Sequence, residues 1–187
     1  MKNFKLTDET KTLDNGIILH RIECISEIPG KPDVKVGNKG GWIEKESNLD
    51  GDAWVSGNAR VYDNAWVYGN AQVYGNAQVY GNARICGDAE VSGNAQVCGN
   101  AEVYGNARIC GDVEIQSNQD YIVFKNWWSS GRYFTWTRSN NMWRVGCFYG
   151  TGEELVAKAY KDSEKSGREY ERVVKYVQSI LDDELKQ

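Results

Sequence analysis

Proline and histidine are close to absent. Pro29 and Pro32 are the only prolines and His20 the only histidine among 187 residues, against 20 glycines. So much glycine with so little proline excludes a proline-rich linker or a collagen-like chain and fits many evenly spaced turns. Also missing is any run near the ~18 apolar residues a membrane-spanning helix needs, and the opening stretch Met1-Lys2-Asn3-Phe4-Lys5-Leu6-Thr7 lacks the apolar core of a secretory signal. These absences predict a cytoplasmic protein without a membrane partner. Cysteine is scattered: Cys24, Cys86, Cys98, Cys110 and Cys147 form no metal-ligand motif, which suits a reducing compartment with all five thiols free. The net charge of -4 and 41% hydrophobic residues are the balance of an ordinary globular chain of one or two domains.

What is present is a repeat. From Gly51 to Gln116 the chain reads as eleven consecutive hexads, GDAWVS GNARVY DNAWVY GNAQVY GNAQVY GNARIC GDAEVS GNAQVC GNAEVY GNARIC GDVEIQ, without insertion or deletion. The six-residue step of aliphatic residues runs from Val55 to Ile115 and extends backward to Leu49 and Ile43. Within Ala59-Arg60-Val61-Tyr62, small and aliphatic residues alternate with polar or aromatic ones, the period-2 pattern of a strand with one buried face. The Gly-Asn or Gly-Asp pair that follows tolerates positive φ, so each short strand ends in a tight corner. Ten of the eleven corners begin with Gly. A helix, with its 3.6 period, and a stack of hairpins, which needs longer strands, are both excluded.

These hexads, with Val61 followed four residues on by Ala65 and Val73 by Ala77, resemble the hexapeptide-repeat family. The resemblance implies a left-handed parallel β-helix with three hexads per triangular coil, an exception to the usual right-handed crossover. The expected fold class is therefore mainly β: an N-terminal β-hairpin cap over 1–42, a left-handed β-solenoid over 43–116, and a small C-terminal α+β domain of three strands and two helices over 117–187. Nearly four coils at the strand spacing give a column roughly 18 Å long.

With 18 residues per coil, the outward residue after each aliphatic one sorts into three columns: Ser56, Tyr74, Ser92, Cys110; Tyr62, Tyr80, Cys98, Gln116; and Tyr68, Cys86, Tyr104. The three repeat cysteines fall on three faces and cannot pair. Glu90 is expected to stack with Arg108 and Arg84 with Glu102, and Trp66 stands one coil from Arg84, within reach of a cation–π contact. The plain reading of Trp54, Trp66, Tyr62, Tyr68, Tyr80 and Tyr104 is structural. The functional reading is a line of exposed aromatics forming a protein-binding face or a dimer or trimer contact. Three arginines stand against seven acidic residues in the repeats, so duplex nucleic acid is not an expected partner.

The flanks differ in composition. Phe4–Leu13, a turn at Asp14-Asn15-Gly16 and Ile17–Ile25 predict a hairpin, and Trp42 is expected to lid the first coil. Past the repeats, strands are predicted over Tyr121–Trp128, Arg132–Arg138 and Met142–Tyr149. Thr151-Gly152-Glu153-Glu154 forms a capping box that starts a helix, and a second helix follows Gly167 on the apolar stripe Tyr170, Val173, Val174, Val177, Ile180 and Leu181. Between Tyr121 and Tyr149 the charged residues are Lys125, Arg132, Arg138 and Arg144, interleaved with aromatics that include Trp127 and Trp136. Such a segment suits stacking on a base while pairing with phosphate. It equally suits aromatics packed beneath helices with the cations in water.

Relatives of the repeat fold include acyltransferases that use a histidine base and carbonic anhydrases that hold a metal with three histidines. One histidine excludes the latter arrangement, and an acyltransferase would need His20, outside the solenoid, to reach a coil face, or a different base altogether. Gly40-Gly41-Trp42-Ile43-Glu44, the tandem Gly-Asn-Ala hexads and Gly146-Cys147-Phe148-Tyr149-Gly150-Thr151 are also similar to hexapeptide-repeat proteins of bacteriophages and prophages, often labelled acyltransferases by their repeats alone. That likeness implies a viral origin and brings no catalytic residues with it; no cofactor is expected. The leading expectation is a non-enzymatic protein that binds and inhibits a host protein or complex, such as a nuclease or other antiviral effector. The alternatives are a binder of an anionic nucleotide signal through Arg132, Arg138 and Arg144, an acyl-CoA-dependent acyltransferase, and a structural assembly protein.

Overall fold

Each hexad turns one corner of a parallel β-helix. The computed structural model describes residues 2–184 and 186 and divides into two units, one up to Ile122 with Thr137–Asn140, the other of Val123–Trp136 with the residues from Asn141 onward. In the first unit, β1 (Phe4–Thr12) and β2 (Ile18–Cys24) pair antiparallel, and β2 pairs antiparallel with β3 (Lys39–Ile43). Eleven two-residue strands follow, from β4 (Trp54–Val55) to β14 (Glu114–Ile115). Their pairing has a step of 18 residues, three hexads per turn, and gives about four turns. On the first face Trp42 pairs with Arg60, Arg60 with Gln78, Gln78 with Gln96 and Gln96 with Glu114. On the second, Trp54, Gln72, Glu90 and Arg108 lie in line, and on the third, Trp66, Arg84 and Glu102.

The alternation within each hexad decides what is inside. The Ala and Val or Ile positions of all eleven hexads are buried, and each enclosed Val or Ile side chain contributes ~1.5–3 kcal/mol. The first residue of every hexad has positive φ, including Asp63 at 57°, the one corner without glycine. There the Asp63 carboxylate accepts from Gly81 N at 3.1 Å, so the side chain that strains the corner also ties it to the next turn. The second corner residues form side-chain ladders up the edges: Asn58 donates to Asn76, Asn76 to Asn94 and Asn94 to Asp112, at 3.2, 3.1 and 2.7 Å. A second ladder joins Asn64, Asn82 and Asn100.

A stacked ladder leaves unpaired backbone at both ends, an invitation to edge pairing unless it is blocked. At the far end side chains stand in for the missing turn: Asn118 Oδ1 accepts from Glu102 N, Ser139 Oγ from Glu114 N and Asp120 Oδ2 from Gln116 N, at 2.7 to 3.0 Å. At the near end Asn48, buried in a single 3-10 turn, donates to Asp63 O and Ala65 O. Ile22 of the hairpin lies so close to Gly40 that a Cβ there would stand 2.4 Å from it. Trp42 is not the lid that the sequence predicts. One position before Ile43, it points outward, level with Arg60, and the Arg21 guanidinium sits 5.0 Å from its ring centre.

Past the solenoid a four-stranded sheet has the order β15 (Tyr121–Lys125), β16 (Tyr133–Thr137), β17 (Met142–Val145) and β18 (Phe148–Gly150). The third predicted strand is two: Gly146, at φ 55°, breaks it into a hairpin that pairs Val145 with Phe148. α1 (Gly152–Asp162) starts at the predicted capping box, with Glu154 N donating to Thr151 Oγ1 at 3.2 Å and Thr151 N to Glu154 Oε2 at 2.9 Å. α2 (Glu164–Glu184) begins earlier than predicted and runs through Gly167. Glycine is required there by packing, since a Cβ would meet the Tyr160 ring of α1 at 2.2 Å. The corner between the helices is Ser163, whose hydroxyl accepts from Ser166 N at 3.1 Å.

Candidate functional site

The three faces of the solenoid are treated differently by the N-terminal segment. On the first, Tyr62 and Tyr80 stack with ring centres 5.2 Å apart and planes 3° from parallel. Leu19, Trp42 and Tyr62 form a buried cluster, against which Leu13, Ile17 and Tyr80 pack. The hairpin therefore occupies the surface that the Tyr62–Tyr80 line would have offered to a partner. On the second face Trp54 is buried, and the loop carrying Pro29 and Lys31 lies over the corner beside it, with Lys31 Nζ donating to Asp52 O and Asn70 O. Burial depresses the Lys31 ammonium pKa, while Asp52 and Asp88 oppose the shift. Tyr62 is thus withdrawn from the predicted interface by the hairpin of the same chain, and Trp54 by its burial.

The third face keeps its aromatics in solvent. Trp66 is 37% and Tyr104 57% exposed. Trp66 stacks on Tyr68 at 4.0 Å in place of the predicted contact with Arg84, whose guanidinium pairs with Glu102 at 3.2 Å. Arg108 and Glu90 make the other predicted ion pair at 2.9 Å, on the second face. A hydrogen bond with Cys86 holds the Tyr68 phenol pKa above its usual value, and Cys98 does the same for Tyr80. None of the five cysteines forms a disulfide.

In the second unit the predicted basic-aromatic set is dispersed. Lys125 Nζ lies 5.7 Å from the Tyr133 ring centre, Trp127 is 76% exposed, and Arg144 sits on β17 opposite Tyr149. Arg138 belongs to the solenoid unit, where its Nε donates to Gln119 O at 3.1 Å. Trp136 is buried and donates to Asn141 Oδ1 at 2.8 Å, so it offers no stacking surface. The remaining rings, Phe124, Trp128, Phe134, Trp143 and Tyr170, form an internal aromatic core with centroid separations of 5.2 to 6.2 Å. Of the four cations Arg132 opens onto a cavity of about 330 Å³, whose other polar residues include Lys158, Ser130 and Ser163, for which the sequence suggests no binding role, and Tyr170, which it places on the apolar stripe of the second helix. They come from separate elements, and no local spacing links them.

His20 lies on β2 with Nδ1 3.3 Å from Thr7 O, inside the hairpin. Among the described residues no group of three or more His, Cys, Asp or Glu side chains could hold a metal ion, and no helix is long and apolar enough to cross a membrane.

With the pairing and corners established, the chain is a repeat β-helix protein. The YdcK beta solenoid repeat family model matches residues 53–70, 77–93, 83–99 and 95–111, all within the hexads. A search of curated proteins gives no match.

Proposed function

We propose that this is a non-enzymatic binding protein, whose solenoid docks a protein partner on the third face. The observation that carries the reading is selective covering: the chain's own hairpin buries Trp42 and Tyr62, Trp54 is buried as well, and Trp66 and Tyr104 are left in water. Aromatic anchors flanking an ion pair are the composition of an interface core with a polar rim. The Arg84–Glu102 pair makes the strip electrically neutral, so the partner it fits is an uncharged, apolar patch on a folded protein. The likeness of the layout to phage proteins supports a host factor, an antiviral effector among them, as that partner.

The test compares wild type with W66A/Y104A in capture from bacterial lysate read by mass spectrometry, with a Tyr62→Ala chain as the control on a covered face. A partner retained by wild type, lost by W66A/Y104A at unchanged melting temperature and recovered with purified protein supports the reading. Identical partners for wild type and W66A/Y104A overturn it.

A further inference from the structure

We infer that the cavity bounded by the 126–132 loop, the β17–β18 hairpin and the α1–α2 corner is a binding site for a small phosphate monoester, independent of the docking face. Its volume of about 330 Å³ falls at the small end of ligand sites, which span about 300–1,000 Å³.

The chemistry of the wall is that of donors. Arg132 from the loop and Lys158 from α1 bring two cations against one acid, Asp162. The hydroxyls of Ser130 and Ser163 accept from the backbone amides of Arg132 and Ser166, which leaves their O–H hydrogens to donate. Tyr170 supplies a further donor through a chain of constraints. Asn126 Oδ1 accepts from both the amide and the hydroxyl of Ser129, at 2.9 and 3.1 Å, which fixes the orientation of its amide. Its Nδ2 then donates to Tyr170 Oη at 3.2 Å. The tyrosine oxygen is thereby the acceptor, and its own hydrogen has no acceptor among the described residues. Tyr170 is only 8% exposed and lines the cavity, so a ligand oxygen there would satisfy a buried donor that otherwise goes unpaired. Burial raises the phenol pKa, which keeps that hydrogen in place at neutral pH.

A forked guanidinium, an ammonium and several hydroxyls suit the three terminal oxygens of a phosphate better than the two of a carboxylate. The floor is apolar, made by Val145, Phe148 and Leu155, and accommodates an organic body attached through the ester oxygen. Asp162 stands where it would repel a bare multivalent anion but can accept from a hydroxyl or amine of that body. The ligand class is thus a phosphate monoester of nucleoside-monophosphate size.

The experiment titrates the full chain with AMP, ribose 5-phosphate, inorganic phosphate and adenosine, by calorimetry and thermal shift at physiological salt. AMP or ribose 5-phosphate should bind and raise Tm, with adenosine inert and inorganic phosphate weaker than the better ester. Arg132→Ala and Lys158→Ala should each weaken binding about 10-fold or more. Lys158 is exposed on α1, so its variant should keep the ligand-free Tm and isolate the binding loss from folding. Absence of binding by either ester at millimolar concentration, unchanged affinity in both variants, or inorganic phosphate binding as tightly as the better ester would overturn the assignment.

Discussion

Replacing Gly93 with alanine adds one methyl group at a corner where the next turn's backbone already stands. Gly93 has φ +70°, and a Cβ on it would lie 2.7 Å from Gly111 N and 3.1 Å from Gly111 Cα. Gly105 has nearly the same backbone, φ +67°, but nothing within 4 Å of its would-be Cβ. The two substitutions therefore share one penalty and differ in another. Both put an L side chain in the left-handed region, about 1–2 kcal/mol, offset by about 0.4–1 kcal/mol from the stiffer unfolded chain. Only Gly93→Ala must also displace a backbone amide, and that displacement pulls on Asp112, the end of the Asn58–Asn94 ladder. Overpacking of this kind costs about 1–3 kcal/mol. Gly105→Ala should thus lose about 0–1.6 kcal/mol and Gly93→Ala about 1–3 kcal/mol more. Urea unfolding followed by far-UV circular dichroism measures both, provided the m-values match. Equal losses, or a larger loss in Gly105→Ala, would refute the claim that contact between turns, beyond the sign of φ, demands glycine at these corners.

Asn48→Ala removes the partner of Asp63 O, Ala65 O and Lys45 N; unpaired buried groups of this kind should cost about 2–4 kcal/mol, read in a thermal melt, and Asn48→Asp should not rescue, since it restores only the acceptor. Glu23 is held at a pKa of about 2, below the ordinary glutamate value of 4.5, chiefly by its hydrogen bond with Lys39 and then by Lys5. Its contribution is present above pH 4.5 and lost as pH falls toward 2, so Glu23→Gln should flatten stability against pH across that window, and parallel curves would contradict the assignment. Burial pushes Tyr121 up to about 12, so its contribution is present below pH 10 and lost as pH rises through 12; Tyr121→Phe should remove one late-titrating phenol from the absorbance titration at alkaline pH.

The solenoid was legible because its cause is local and periodic. A six-residue step with alternating burial leaves the backbone a single way to wind, and Val61, Val79, Val97 and Ile115 lie in line on the first face as their spacing requires. The capping box at Thr151 was legible for the same reason, since both its hydrogen bonds span three residues. Trp42 and Gly167 were misread where a distant partner overrides a local signal. Trp42 is placed by Ile43's register and the hairpin over it, and Gly167 is a break in sequence yet a helix interior in space, because the Tyr160 ring needs the room. Nor does the spacing of Ser130, Arg132, Lys158, Ser163 and Tyr170 reveal their common cavity, since a loop and two helices must fold back before they meet.

Aromatic content by itself was a poor guide to function for a related reason. Tyr62, Tyr80 and Trp54 occupy hexad positions equivalent to those of Tyr104 and Trp66, so the repeat gives no ground for separating them. What separates the two tyrosines from Tyr104 is the N-terminal segment, which is outside the repeat and also reaches the second face through Lys31. A segment whose only task was to close the end of the column would need Ile22 against Gly40 and little more. The chain instead extends Leu13, Ile17 and Leu19 over the tyrosine stack and Lys31 over the second face. Those covers reduce the apolar surface that the column exposes to water. Leaving Trp66 and Tyr104 uncovered by either segment keeps an aromatic surface available on the third face, the physical basis for assigning the docking surface there.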